Sequence, residues 1–235
     1  MAASSRPTVP PGTIVVYSDI GCPWASLTVH RLLTARDRLG LADAVSLDHR
    51  CFPLELINER ATPKRVLDAE VAVIGSHEPA LRWQPWQRRD SEYAVSTLLA
   101  MEAVQAAKAD GVGALAASEQ LDAALRHALY AEGATITLHT VVLEVAERCD
   151  RVDTEALSAA LESGTARSAI FDQWRESQRI EVRGSPHLYL ADGGAVHNPG
   201  VELSWTGEKG TGFPVIESED RSVVDDLLRR AAART

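Results

Sequence analysis

Cysteine is scarce in this 235-residue chain: Cys22, Cys51 and Cys149 are the whole complement, too few and too scattered for a disulfide framework. None of the seven histidines falls at a zinc-site spacing with another histidine or with a cysteine, so no metal centre is expected. Long apolar runs are missing too. No segment approaches the roughly 18 consecutive apolar residues that span a bilayer, which excludes a helical membrane span. Residues 1–12 lack a continuous apolar core and read as a short disordered lead, not a secretory signal. The expected compartment is therefore a reducing cytoplasm, where all three cysteines rest as thiols. Basic charge is also in deficit, with 24 Lys and Arg against 33 Asp and Glu for a net charge of −9. That argues against a nucleic-acid surface and for small-molecule or protein partners. There is no internal repeat and no low-complexity tract.

Hydrophobic residues make up 45% of the chain, enough for a well-packed core. Thr13–Tyr17 is a β-branched apolar run that predicts a buried strand, and Trp24 to about Arg38 predicts a helix. Val45, Leu47, His49 and Cys51 alternate with Ser46, Asp48, Arg50 and Phe52, the period-2 pattern of a second strand. A strand–helix–strand unit of this kind implies a parallel pair with a right-handed crossover. From about residue 60 to 178 the period is helical, as in Leu121, Leu125 and Leu129, and glycines 111, 133 and 164 punctuate it. Strand character returns at His187–Ala191, turns at Asp192-Gly-Gly194 and resumes at Ala195–His197, and an amphipathic helix closes the chain. The order βαβ, helices, ββα predicts an α/β fold with an inserted all-helical segment. One domain is expected over 1–59 and 179–235, with the insertion over 60–178.

Two short segments carry the chemistry. Asp19-Ile-Gly-Cys-Pro-Trp-Ala25 follows the first strand directly. A thiol there stands at a helix N-terminus, where free N–H groups and the macrodipole stabilise a thiolate and a proline costs no hydrogen bond. Ala25 occupies the position of the second thiol in a Cys-x-x-Cys site. The other segment is Gly184-Ser-Pro-His187. If the strand it starts runs antiparallel to the first, Pro186 lies beside Cys22. Its peptide is either a cis bond, which X–Pro amides adopt at a cost of about 0.5–1 kcal/mol, or an ordinary trans loop bond.

Cys22-Pro-Trp-Ala25 after a Ser-Asp-Ile-Gly lead, the helical insertion and Gly-Ser-Pro before a hairpin together resemble the DsbA family of thioredoxin-like proteins, and within it the cytoplasmic FrnE-like branch. The resemblance covers residues 13 to 230. It implies a thioredoxin-like fold, Cys22 as nucleophile, Pro186 as a cis-proline, Ser185 as the residue whose backbone pairs with an extended substrate, and Pro23 and Trp24 bordering the substrate groove. Ala25 departs from the disulfide-exchanging members. One thiol still attacks a disulfide, and the mixed disulfide must then be resolved by a small thiol, a second protein or a distant cysteine.

Several residues have two readings each. Cys51 is either the resolving thiol or a core residue, and Cys149 ends an apolar helical stripe. Asp19 either handles a proton and orients the substrate thiol or caps its turn. Trp24 either bounds the groove or packs against the insertion. The basic, aromatic run Arg82–Asp90 is either a lid that gathers an anionic thiol or a packing loop. His187 and His197 are either structural or catalytic.

The leading expectation is a monothiol oxidoreductase without a tightly bound cofactor, acting with a low-molecular-weight thiol such as glutathione or mycothiol, or on a disulfide-containing protein. A homodimer is compatible with it. Two alternatives keep the fold: a thiol-binding transferase or isomerase similar to kappa-class glutathione transferases and 2-hydroxychromene-2-carboxylate isomerases, and a non-catalytic binding module.

Overall fold

The computed structural model describes residues 6–233. The expected disordered lead begins in residues 1–5, which lie outside the described residues. Strand β1 (Thr13–Ser18) is buried at every position, as a strand covered on both faces and paired along both edges must be. It pairs in parallel with β2 (Ser46–Cys51). On its other side it pairs antiparallel with β3 (His187–Leu190), which forms a hairpin with β4 (Ala195–His197). The sheet order is β2-β1-β3-β4. Helix α1 (Pro23–Arg38) connects the parallel pair and lies against the C-terminal helix, Ser222–Ala232. Ile14, Val16, Leu32, Leu47, Leu188 and Leu228 form the core between these helices and the sheet.

Between β2 and β3 only helices and turns occur among the described residues: α2 (Leu54–Ile57), α3 (Lys64–His77), α4 (Leu98–Ala106), α5 (Ala114–Tyr130), α6 (His139–Ala146), α7 (Thr154–Ser163) and α8 (Arg167–Arg179). Leu121, Leu125 and Leu129 of α5 are buried as their spacing predicts. They belong to a core that also takes in Trp24 and Leu27 of α1, Cys51 of β2 and Ile74 of α3. The helical segment therefore shares its apolar interior with the helix that carries Cys22.

The sequence reading left out one element. After β4 the chain forms a separate two-stranded antiparallel sheet, β5 (Val201–Trp205) and β6 (Pro214–Glu219), before the C-terminal helix α9 (Ser222–Ala232). A register shift at Glu202 and Leu203 interrupts its alternation, and most of β6 is exposed, so the period-2 signal is weak. Gly200 makes the turn into β5 with φ +68°, and a Cβ there would stand 2.1 Å from the Asp220 carbonyl oxygen. Only glycine fits both demands.

Candidate active site

The chain passes from β1 to α1 through residues 19–22, and the helical segment holds that loop from behind. Asp19 points inward: its carboxylate accepts hydrogen bonds from the Gly21 N–H (2.7 Å), the Thr97 hydroxyl (2.6 Å) and the Leu54 N–H (2.7 Å). Burial raises its pKa, and these three donors and Arg126 oppose the rise. Asp19 thus caps its turn and ties α2 and α4 to it, and it does not line the cleft that Cys22 faces. Arg126 of α5 donates to the Asp19 carbonyl (3.1 Å), Ser26 Oγ (2.9 Å) and Ser18 Oγ (2.9 Å) while paired with Asp122 at 2.6 Å. The Tyr130 hydroxyl donates to the Ile20 carbonyl at 2.8 Å.

Cys22 is the N-cap residue of α1 in an extended conformation, with Pro23 in the first turn. Its Sγ–H donates to the Ser185 carbonyl at 3.1 Å, and the Asp19 N–H donates to Ser185 Oγ at 3.0 Å. The antiparallel pairing of β1 with β3 produces this contact, because it brings the segment entering β3 beside the end of β1. The Ser185–Pro186 peptide is cis. Gly184 and Ser185 form the cleft wall, and Pro186 itself is buried outside the lining. The cleft has a volume of about 410 Å³. Cys22, Pro23 and Trp24 at the start of α1 line it, with Asn58, Arg60, Pro63, Arg65, Val66 and Glu70 in and before α3, and with His197 of β4 and Leu203, Trp205 and Lys209 of the ribbon that follows.

Electrostatics here reverse one expectation. A helix N-terminus was expected to favour the thiolate, yet the Cys22 pKa is pushed up to about 11. Burial to 6% exposure is the main cause, and the Glu70 charge adds to it. The Ser185 side chain and the Ala25 N–H favour the anion but do not offset both. Cys22 therefore rests as a protonated thiol. Trp24 is buried and also lines the cleft, so neither of its two readings stands alone. Its indole N–H lies near enough to Glu70 to favour the carboxylate, although no bond of standard geometry closes between them.

The remaining expected residues lie apart from the cleft, with one exception. Cys51 is buried, its thiol pushed up to about 12 by burial, and it borders a separate small void with His49 and Asp122. All three cysteines are free thiols. The Arg82–Asp90 run is no lid, since none of its residues lines the cleft. It packs instead, with Trp83 against Tyr130 at 4.7 Å between ring centroids and the Trp86 indole N–H donating to the Arg89 carbonyl at 3.1 Å. His187 is structural: its Nδ1 accepts the Arg183 N–H at 3.0 Å. His197 is the exception and reaches the cleft. Among the described residues no group of three or more His, Cys, Asp or Glu could hold a metal ion.

The sequence reading missed Glu70, Arg126 and the basic rim of Arg60, Arg65 and Lys209. A signal existed for the first two. Glu70 falls on the apolar stripe Val66, Leu67, Val71 and Ile74, and Asp122 and Arg126 interrupt the leucines of α5. Charged residues in a buried stripe need a partner or a role.

A family model, the DSBA-like thioredoxin domain, matches residues 13–207. No curated protein matches the chain. Among solved structures, the probable DsbA oxidoreductase SCO1869 from Streptomyces coelicolor is similar at 20% identity, covering 95% of this chain and 91% of that one with a TM-score of 0.61. The cytosolic disulfide reductase DsbM from Pseudomonas aeruginosa, solved with GSH, is 20% identical over 79% of this chain and 89% of that one, with a TM-score of 0.58. A 2-hydroxychromene-2-carboxylate isomerase is 16% identical over 78% of this chain and 87% of that one, with a TM-score of 0.56. At these identities the structural likeness is one of fold.

Proposed function

The chain belongs to the DSBA-like thioredoxin domain family, and on that premise we propose that it is a thiol-disulfide oxidoreductase of monothiol type with Cys22 as the nucleophile. One observation carries this reading. Cys22 is the single thiol lining the cleft, and Ala25, fully buried, stands where a resolving thiol would be. Cys22 Sγ attacks one sulfur of a bound disulfide, the S–S bond breaks, and the leaving thiolate takes up the proton that Cys22 gives up. A second thiol then attacks the mixed disulfide and releases Cys22. Ser185, whose carbonyl holds the resting Sγ–H, offers its backbone to an extended substrate once that bond is given up. Pro23 and Trp24 border the groove, and Asp19 fixes the loop. Glutathione or mycothiol is the class of small thiol that fits as co-substrate, with a disulfide-bearing protein as the other partner class. A reducing, cytoplasmic setting suits a reductive reaction, and the DsbM structure bears the description cytosolic.

Mass spectrometry of the intact protein after exposure to an oxidised small thiol tests this. One adduct is expected, lost in Cys22→Ser and kept in Cys149→Ser. An internal Cys22–Cys51 bond in the wild type would overturn the monothiol reading.

The protonated state of Cys22 favours a second reading, in which its Sγ–H donates a hydrogen bond to a bound thiolate in a transferase or isomerase. Cys22→Ser separates the two readings. A serine hydroxyl keeps the donor and so preserves thiol binding, but it abolishes adduct formation.

A further inference from the structure

Glu70 is 5% exposed, sits among the apolar residues of α3 and lines the cleft. The other deeply buried carboxylates each have a close charged or hydrogen-bonding partner: Asp122 has Arg126 at 2.6 Å, Glu102 has Arg167 at 3.1 Å on one oxygen with Oε1 left unpaired, and Asp19 has three donors. Among the described residues no cation stands within 4.0 Å of Glu70, and no hydrogen bond of standard geometry closes on it. Burial raises the Glu70 pKa, and the Lys209 ammonium and the Trp24 N–H, the favourable groups within its reach, oppose the rise. Leaving a carboxylate this deep without a partner is costly, and a cation delivered by a ligand removes the cost. Around the mouth of the same cleft, Arg60, Arg65 and Lys209 are exposed, and none has a carboxylate within 4.0 Å among the described residues. In a chain of net charge −9 this positive rim is a local inversion that draws anionic groups. One cleft thus combines a buried carboxyl residue and a buried thiol with three exposed cations.

We infer that the cleft takes the disulfide of a zwitterionic aminothiol, whose ammonium Glu70 receives beside Cys22 and whose carboxylates Arg60, Arg65 and Lys209 receive at the rim. This rests on the monothiol reading and names its substrate class. It also explains the silent resting thiol. Glu70 is the charge that most strongly holds Cys22 protonated, so an ammonium on Glu70 removes that restraint when substrate is present. Binding and ionisation are then linked, each favouring the other. The chemistry balances: Cys22–SH and RS–SR give Cys22–S–SR and RSH, the Cys22 proton ending on the leaving sulfur. Cys22 and Trp24 from α1 and Lys209 from the β5–β6 turn act on Glu70, and His197 from β4 shares the cleft.

The test compares three disulfides: cystamine, cystine and the neutral bis(2-hydroxyethyl) disulfide. Rates of Cys22 adduct formation are read by intact mass, each divided by the rate of the same disulfide with N-acetylcysteine. In the wild type, cystamine should exceed the neutral disulfide by about tenfold, within the usual range of linked binding. Glu70→Gln should bring that ratio to about one and speed the neutral reaction, because the opposing charge is gone. Arg65→Ala should reduce the rate with cystine and spare cystamine. An equal cystamine ratio in wild type and Glu70→Gln overturns the proposal. So does a wild-type ratio of one, a result that needs no variant to fold. If none of the three labels Cys22, the monothiol reading fails, and the ammonium site is read separately by titrating cystamine into Cys22→Ser by calorimetry. Binding that falls about tenfold on adding Glu70→Gln supports the site; unchanged or absent binding overturns it.

Discussion

Arg126 shows what a single residue contributes to the site without entering it. Its guanidinium reaches from α5 to the backbone of Asp19 and the hydroxyls of Ser18 and Ser26, with Asp122 on the same helix as its counter-charge. Removing one partner of a buried ion pair leaves the other uncompensated, so Arg126→Met should lose about 3–5 kcal/mol in denaturant unfolding. Arg126→Met with Asp122→Leu should lose less than the single variant, because no charge is then stranded. A single variant within about 1 kcal/mol of wild type would mean that water replaces the guanidinium. The Cys22 thiol gives a second residue-scale expectation. With its pKa pushed up to about 11, alkylation in the empty cleft should speed up about tenfold per pH unit from pH 7 toward that value, since the thiolate alone reacts. A plateau below pH 9 would show that the helix terminus outweighs burial. Cys22 was legible in the sequence because an apolar strand runs directly into Cys-Pro at a helix start, and Ser185 entered through the family resemblance that Gly184-Ser-Pro carries. Glu70 and Arg126 were not, because a charge inside an apolar stripe declares that something is buried with it without saying what.

At the scale of the element, the first turn of α1 decides what kind of chemistry is open. Residues 22 and 25 lie three apart on one helix face, so Ala25→Cys should form an internal disulfide with Cys22 under oxidising conditions and displace the small-thiol adduct. Ala25 is fully buried, and a sulfur placed there overpacks the core, so the reduced variant should be less stable by about 1–3 kcal/mol. Free-thiol counting and thermal melting under reducing conditions check both parts. An adduct that persists with no internal bond would place the two sulfurs out of bonding range. Other elements differ in how plainly the sequence announces them. β1 and β2 are legible because one is an unbroken apolar run and the other alternates strictly. The β5–β6 ribbon is not, because its register shift and the run of exposed positions that ends β6 erase the alternation. That ribbon nonetheless supplies Leu203, Trp205 and Lys209 to the cleft, so one wall of the site was hidden from the pattern that revealed the rest.

The molecule as a whole stores several titratable groups in their neutral forms, and this sets where it is stable. The His187 pKa is lowered to about 4 by burial and by neighbouring His197 and Arg183, from 6.5 in an unfolded chain. As pH falls from 6.5 toward 4 the unfolded chain takes up a proton that the folded one refuses, so stability declines across that window. Below it, Asp48 and Asp122, whose carboxyls burial opposes but Lys108 and Arg126 hold low, lose their ion pairs and deepen the decline. On the alkaline side the sign is opposite in proton count and the same in outcome. Cys22 and Cys51 are raised to about 11 and about 12 from 9.0. Above pH 9 the unfolded chain gives up protons that the folded one retains, and stability falls again as pH rises through 11. Denaturant unfolding in a reductant between pH 4 and 11 should therefore show a plateau from about 6.5 to 9 with a decline on each side. His187→Asn keeps an acceptor for the Arg183 N–H but cannot take up a proton, so it should make the acid limb between 6.5 and 4 shallower, the remainder coming from His30, His49 and His197, which burial also lowers. Cys22→Ser with Cys51→Ser should make the alkaline limb shallower between pH 9 and 10, below the range in which the buried tyrosines add to it. A wild-type stability that stays level or climbs from pH 9 to 10 would show that the thiols ionise at least as freely in the fold as in the unfolded chain, and with that the protonated resting state of Cys22 would fall.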